Sequence, residues 1–211
     1  MIVKSVNIGQ LKKVKWRGNF VETGIFKTTV DSIILEKEDV IDDCVIDRRY
    51  HGGIDKACYL YSANHYQFWA DLYPELTLND GFFGENITIN GLDESKIMIG
   101  DIYRIGGATI QVTQPRKPCY KLGIVFNTQK VLKQFINADY PGVYVKVLEG
   151  NLIKQGDSME LIERMHNSVS LIEVWHLLYD KTVDTDFIEE VLNIPFLADA
   201  CKRSLQKRLN S

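Results

Sequence analysis

A change of rhythm near residue 164 constrains this chain more than any other feature. Up to about residue 163 apolar and polar residues alternate with a period of two; beyond Arg164 the period becomes helical. In the first stretch Ile2, Val6 and Ile8 alternate with Lys4, Ser5 and Asn7. Residues 29–35 and 56–61 are rich in β-branched and aromatic side chains, and 87–89, 102–105, 109–113 and 142–148 read the same way between Gly, Asn and Asp. Short strands at this spacing predict a sandwich or a barrel. Helices are predicted to interrupt them at 63–73, with Tyr66, Trp69, Leu72 and Tyr73 on one face, and at 128–137, with Val131, Leu132 and Phe135 at helical spacing.

Past the boundary, Ser170 and Glu173 form a capping-box pattern ahead of the stripe Val174, Trp175, Leu178 and Tyr179. Asp186 and Glu189 open a second helix through Leu192. Pro195 starts a third, with Leu197, Cys201, Leu205 and Leu209 on one face. The expectation is a mostly β domain over 1–163 and a small three-helix domain over 164–211. The helical stripes would pack on each other and the β domain, or on a second subunit in a homodimer. Lys202, Arg203, Lys207 and Arg208 are read as complementing the last helix's dipole, with contact to a partner as the alternative.

Composition narrows the function. With 45% hydrophobic and 25% charged residues, the 211-residue chain has the apolar content to bury a sizeable core. Its 25 Lys and Arg against 28 Asp and Glu give a net charge of −3. Partners with polyanionic surfaces usually select a basic excess, so neither a nucleic acid polymer nor a membrane is expected as a partner. Any anion must be held by a local cluster of cations. No run approaches the roughly 18 apolar residues of a membrane span, and the first residues lack the apolar stretch of a signal peptide. Cys44, Cys58, Cys119 and Cys201 are widely spread, which suggests reduced thiols and a cytoplasmic location.

Phosphate-loop, dinucleotide, zinc-protease and EF-hand signatures are absent, and His51, His65, His166 and His176 are too scattered for a zinc site built from local ligands. Three segments carry chemistry. In Asp47-Arg48-Arg49-Tyr50-His51-Gly52-Gly53, followed by Lys56, cations surround a Gly-Gly pair that lets backbone approach an anion; a hairpin turn with solvated charges is the plainer reading. In Gly81-Phe82-Phe83-Gly84-Glu85-Asn86, aromatics in a glycine loop can wall a pocket and Asn86 can orient a ligand. A structural turn in which Glu85 pairs with a basic side chain is equally open. In Gln114-Pro115-Arg116-Lys117-Pro118-Cys119-Tyr120-Lys121, prolines stiffen a loop that holds Cys119 among three cations. Such neighbours favour the thiolate, which attacks electrophiles and binds soft metals. Cys44 and Cys58 lie in strand-like segments and Cys201 in a helical stripe, so these three read as small core residues.

The ordered set HGGIDKACYLY, GFFGENITINGL, IGDIYRIGGATIQVTQPRKPCYKL and NSVSLIEVW resembles the YiiM-like branch of the MOSC-domain family, over nearly the whole chain. The resemblance implies a MOSC-type β-barrel with inserted helices, followed by a small C-terminal three-helix domain. It implies binding of molybdenum cofactor (molybdopterin) and reduction of small N-hydroxylated substrates such as 6-hydroxylaminopurine. Carried over by position, Cys119 is the thiolate ligand to molybdenum and, with His51, catalytic; Arg48, His51, Lys56, Asn86 and Arg116 line the cofactor pocket. Nothing in the chain reads as a flavin, haem or iron–sulfur site, so electrons would come from a separate reductase. The other reading is a carrier of cofactor or sulfur without turnover of its own.

Overall fold

The computed structural model of the protein describes residues 1–46, 52–182 and 184–210. Its strands, in chain order, are β1 (Ile2–Gly9), β2 (Lys12–Trp16), β3 (Asn19–Thr23), β4 (Lys27–Val30), β5 (Ser32–Ile34), β6 (Cys58–Ser62), β7 (Ile87–Asn90), β8 (Ile102–Ile105), β9 (Ala108–Pro115), β10 (Val143–Glu149), β11 (Leu152–Lys154) and β12 (Met159–Glu163). Helices α1 (Tyr66–Leu72), α2 (Tyr120–Val125) and α3 (Lys130–Asn137) are inserted, and α4 (Leu171–Tyr179), α5 (Thr185–Leu192) and α6 (Asp199–Leu209) follow the last strand.

Eight strands form one sheet in the order β12-β8-β9-β10-β6-β7-β1-β4. All its pairs are antiparallel except β6 with β7. A parallel pair needs a crossover, and α1 with the 81–85 loop supplies it. The predicted barrel does not close among the described residues. β1 uses the edge of its second half on β4, pairing Val6 with Val30 through Gly9 with Lys27. Only its first residues remain to meet the approach to β12, through the Ile2–Ser158 bridge and backbone bonds such as Val3 N–H to Asp157 O, Gly156 N–H to Val3 O and Met159 N–H to Met1 O, each at 2.9 Å.

The hairpin β2–β3 was not legible as a separate unit. It turns on Arg17 (φ 48°) and Gly18 (φ 84°), a two-residue turn whose positive φ values suit the twist of the flanking strands. Helix α2 was also missed, since six residues containing Gly123 are too few to show a period.

Two cores result. The aliphatic one joins β-strand residues such as Val3, Ile87 and Val145 to tail residues such as Val174, Cys201 and Leu205. The tail therefore shares the sheet's core, and each such side chain contributes about 1.5–3 kcal/mol by burial. The aromatic core gathers Tyr61, Trp69, Phe83, Phe135 and Trp175. In α1, Tyr66 and Trp69 point into it while Leu72 is exposed. The capping box of α4 is present, with Glu173 N–H donating to Ser170 Oγ at 3.2 Å and Ser170 N–H donating to Glu173 at 2.7 Å. α5 is capped by Asp184 rather than Asp186. α6 starts at Asp199 rather than Pro195, because Ala198 N–H is drawn to Thr113 O of β9 at 3.2 Å. Among the described residues no helix is long and apolar enough to cross a membrane.

Candidate functional site

Strand register builds the site. Tyr144 of β10 lies opposite Tyr59 of β6 on one side and Gln114 of β9 on the other. Arg116 comes two residues after Gln114, and its guanidinium lies 4.8 Å from the Tyr59 ring centroid and 5.8 Å from that of Phe135. Tyr59 and Tyr144 rings are 5.2 Å apart, and the Tyr59 hydroxyl donates to Pro141 O at 2.9 Å. Burial pushes both phenols upward, against the opposing pull of the Arg116 guanidinium.

Arg116 is only 3% exposed, and among the described residues it pairs with no carboxylate. Burial works against its charge, but Tyr59, Tyr144 and Cys119 outweigh that and hold it above its ordinary value. Its Nη1 is buried without a hydrogen-bond partner. A buried cation in this condition is costly unless an anion completes it.

Below Arg116 lies a cavity of about 90 Å³, lined in part by Lys27, Asp43, Lys56, Asn86, Arg116 and Cys119. Its floor is a buried polar network. Asp43 accepts from Gly9 N–H at 2.7 Å, from Asn86 Nδ2 at 2.8 Å, and from Lys27 Nζ in a close ion pair. The Lys27 and Asp43 side chains are 6% and 5% exposed. Asn86 also accepts from Tyr59 N–H at 3.2 Å, so its amide ties strands together while it lines the cavity. Gly24 is required here, since a Cβ would stand 2.0 Å from the Cys44 carbonyl oxygen.

Cys119 is half-buried, immediately before α2, where this cavity meets an outer cleft of about 1130 Å³. The cleft runs between the β2–β3 hairpin, the Cys119 loop and α6. Lys117 Nζ donates to Ser204 Oγ of α6 at 2.8 Å, fixing the loop to the tail. Lys56 borders both spaces. Burial, then Lys117, and further down Arg203, lower its pKa. The set offers cations for an anionic ligand and, in Cys119, a sulfur at the junction of both spaces for a soft metal.

Four of the sequence-derived candidates, Lys56, Asn86, Arg116 and Cys119, thus border one cavity. Arg48 and His51 lie outside the described residues. Glu85 forms no ion pair among the described residues; it accepts from Tyr66 Oη, Gly81 N–H, Phe83 N–H and Thr88 Oγ1, and burial raises its pKa. Phe83 is a core residue rather than a pocket wall. Cys58 and Cys201 are buried as expected, but Cys44 sits half-buried in the cavity wall outside any strand. Sequence reading also missed Lys27 and Asp43, which no local spacing links, and the turn from α6 toward the cleft of Arg203 and Lys207. Their i,i+4 spacing on one helix face was the available signal.

The chain is similar to known proteins in sequence and in fold. The MOSC domain family profile matches residues 47–160, and that of the YiiM-like 3-alpha helix domain matches 169–211. The protein YflK of Bacillus subtilis, described as uncharacterized, is 33% identical over 207 residues, covering 98% of this chain and 93% of its own. The crystal structure of YiiM from Geobacillus stearothermophilus superposes with a TM-score of 0.82 at 30% identity, covering 99% of this chain and 98% of that one. A Gibberella moniliformis protein named "Reductase" is 29% identical across this whole chain, which spans 38% of its length. The chain belongs to the MOSC-domain family, in the branch that carries a YiiM-like three-helix domain.

Proposed function

We propose that this protein binds molybdenum cofactor through Cys119 and reduces small N-hydroxylated compounds, with electrons from a separate reductase. The observation that carries the reading is the buried Arg116, which has an unpartnered Nη1 and pairs with no carboxylate among the described residues, beside the half-buried thiol of Cys119. The residues fit the group: a soft sulfur suits a dithiolene-held metal, and the unpartnered Nη1 of a buried guanidinium suits the cofactor's anionic oxygens. The bound cofactor would supply two-electron redox chemistry. The overall reaction takes an R–NHOH substrate, two electrons and two protons to R–NH2 and water.

In this reading Cys119 holds the metal and Arg116 orients the anionic part of the cofactor. Lys27, Asp43 and Asn86 keep the floor rigid, so the sulfur does not shift between states. Lys56, with its lowered pKa, is a described group able to release a proton nearer neutrality. The homologue named "Reductase" supports the redox class.

The test uses full-length protein made in a cofactor-producing host, assayed for bound molybdenum and for reduction of 6-hydroxylaminopurine with supplied electrons. Cys119→Ser is expected to lower turnover at least about a hundredfold. Full turnover and full metal content in that variant would refute the thiolate assignment. Wild type that holds molybdenum but never turns over would leave the carrier reading instead.

A further inference from the structure

The last helix does more than close the core. On α6, Cys201 and Leu205 are buried, while Arg203 and Lys207, one turn apart on the exposed side, line the outer cleft. Arg208 has a different task, donating to the carbonyls of Leu178 and Asp180 at the end of α4. Like charges at i,i+4 cost helix stability, and among the described residues neither Arg203 nor Lys207 forms an ion pair. The rest of the cleft is equally one-sided: Lys13, Lys56, Lys117 and Lys121 also line it, and Glu22 is the sole acid among its described lining. In a chain of net charge −3 this is a strong local excess. Two exposed aromatics complete the wall, Phe20 at 67% with Lys13 Nζ 5.2 Å from its ring centre, and Tyr120 at 49%.

We infer that α6 and the β2–β3 hairpin form an anion subsite that grips the phosphate of an aromatic, phosphate-bearing ligand whose other end reaches Cys119. The concave shape and the aromatics favour a small nucleotide-like molecule over a protein surface. Cations on a helix and on a hairpin converge on one charge, and the aromatic faces hold a ring. The phosphate has two possible owners, the substrate or the cofactor. The substrate alternative rests on the reductase proposed above; the subsite itself does not.

The experiment titrates cofactor-free, full-length protein with adenosine 5′-monophosphate, adenosine and inorganic phosphate, by calorimetry at low and high salt. Wild type is expected to prefer the monophosphate to adenosine, with a preference that shrinks as salt rises. Arg203→Glu with Lys207→Glu should cut that preference by about tenfold or more, while Lys133→Glu on α3 leaves it unchanged. Equal preference in wild type and in the double variant overturns the inference. So does a double variant that keeps the preference and loses only electron uptake from a protein donor, since the patch would then be a protein-docking surface.

Cofactor-loaded protein then identifies the owner. Molybdenum content that falls with the double substitution assigns the phosphate to the cofactor. Content that holds, with a rise of about tenfold in the KM ratio of phosphorylated to unphosphorylated N-hydroxylated purine, assigns it to the substrate. A loaded wild type that reduces nothing, while monophosphate binding still depends on α6, removes the reductase reading and leaves the subsite standing.

Discussion

The two spaces that meet at Cys119 handle charge in opposite ways. In the inner cavity, Lys27 is paired with Asp43, Asp43 is saturated by three donors, and Asn86 is fully engaged. In the outer cleft, Arg203 and Lys207 project from an exposed helix face and form no ion pair among the described residues. The difference follows from solvent. A buried charge must be satisfied when the chain folds, so it is a matter of stability; an exposed charge costs little and stays available to a ligand. Arg116 is the exception that joins the two, buried like the first group and incomplete like the second.

The largest effect should come from breaking the inner network. Asp43→Ala leaves the buried Lys27 ammonium and the Gly9 N–H without their acceptor, and the Asn86 amide with only the Asn7 carbonyl at 3.4 Å. A loss of about 3–5 kcal/mol is expected, read from urea unfolding. A loss no greater than that of an exposed control such as Lys133→Ala would show that the pair is not buried in solution.

The next effect separates the thiols by environment. Cys58 is fully buried in β6, with its pKa driven up by burial, so Cys58→Ser strands a hydroxyl in the core and should cost about 1–3 kcal/mol. Cys119→Ser, half-exposed at the junction, should change stability by no more than about 0.5 kcal/mol. Equal losses in thermal or urea melts would erase the proposed contrast between a structural and a functional sulfur.

The smallest effect belongs to Lys56, which borders both spaces. Its pKa lies below the ordinary 10.5, chiefly through burial and then through Lys117. In the window between that lowered value and 10.5 the unfolded chain binds the extra proton, so stability rises with pH across it. Attraction for an anion falls over the same window, by about threefold in phosphate affinity. Lys56→Met should flatten both trends, and unchanged slopes in that variant would assign them to another group.

Much of the fold was legible because it rests on local periodicity. Residues 2–8 form β1 as expected, although Ser5 and Asn7 are buried and Ile2 is exposed, the Ser170–Glu173 box caps α4, and the stripe Cys201–Leu205 is buried. Barrel closure was not legible, since it depends on which half of β1 is claimed by β4, a long-range competition that periodicity does not report. At the site, Cys119, Arg116 and Lys56 stood out because cations and prolines cluster locally around them. Lys27 and Asp43 did not, because sixteen positions separate them and only the folded backbone brings them together.

The sequence by itself determined the two periods, the boundary near Arg164, the capping of α4 and the electropositive neighbourhood of Cys119, all consequences of residues close in the chain. Tertiary structure alone decided that Arg116 is buried with an unpartnered Nη1, that Cys44 belongs to the cavity rather than the core, and that α6 turns its cations toward the thiol loop. The physical reason is the same in each case. Backbone propensity and alternation act over a few residues, whereas desolvation and charge balance depend on every element that packs against a group, and those elements meet only in the folded chain.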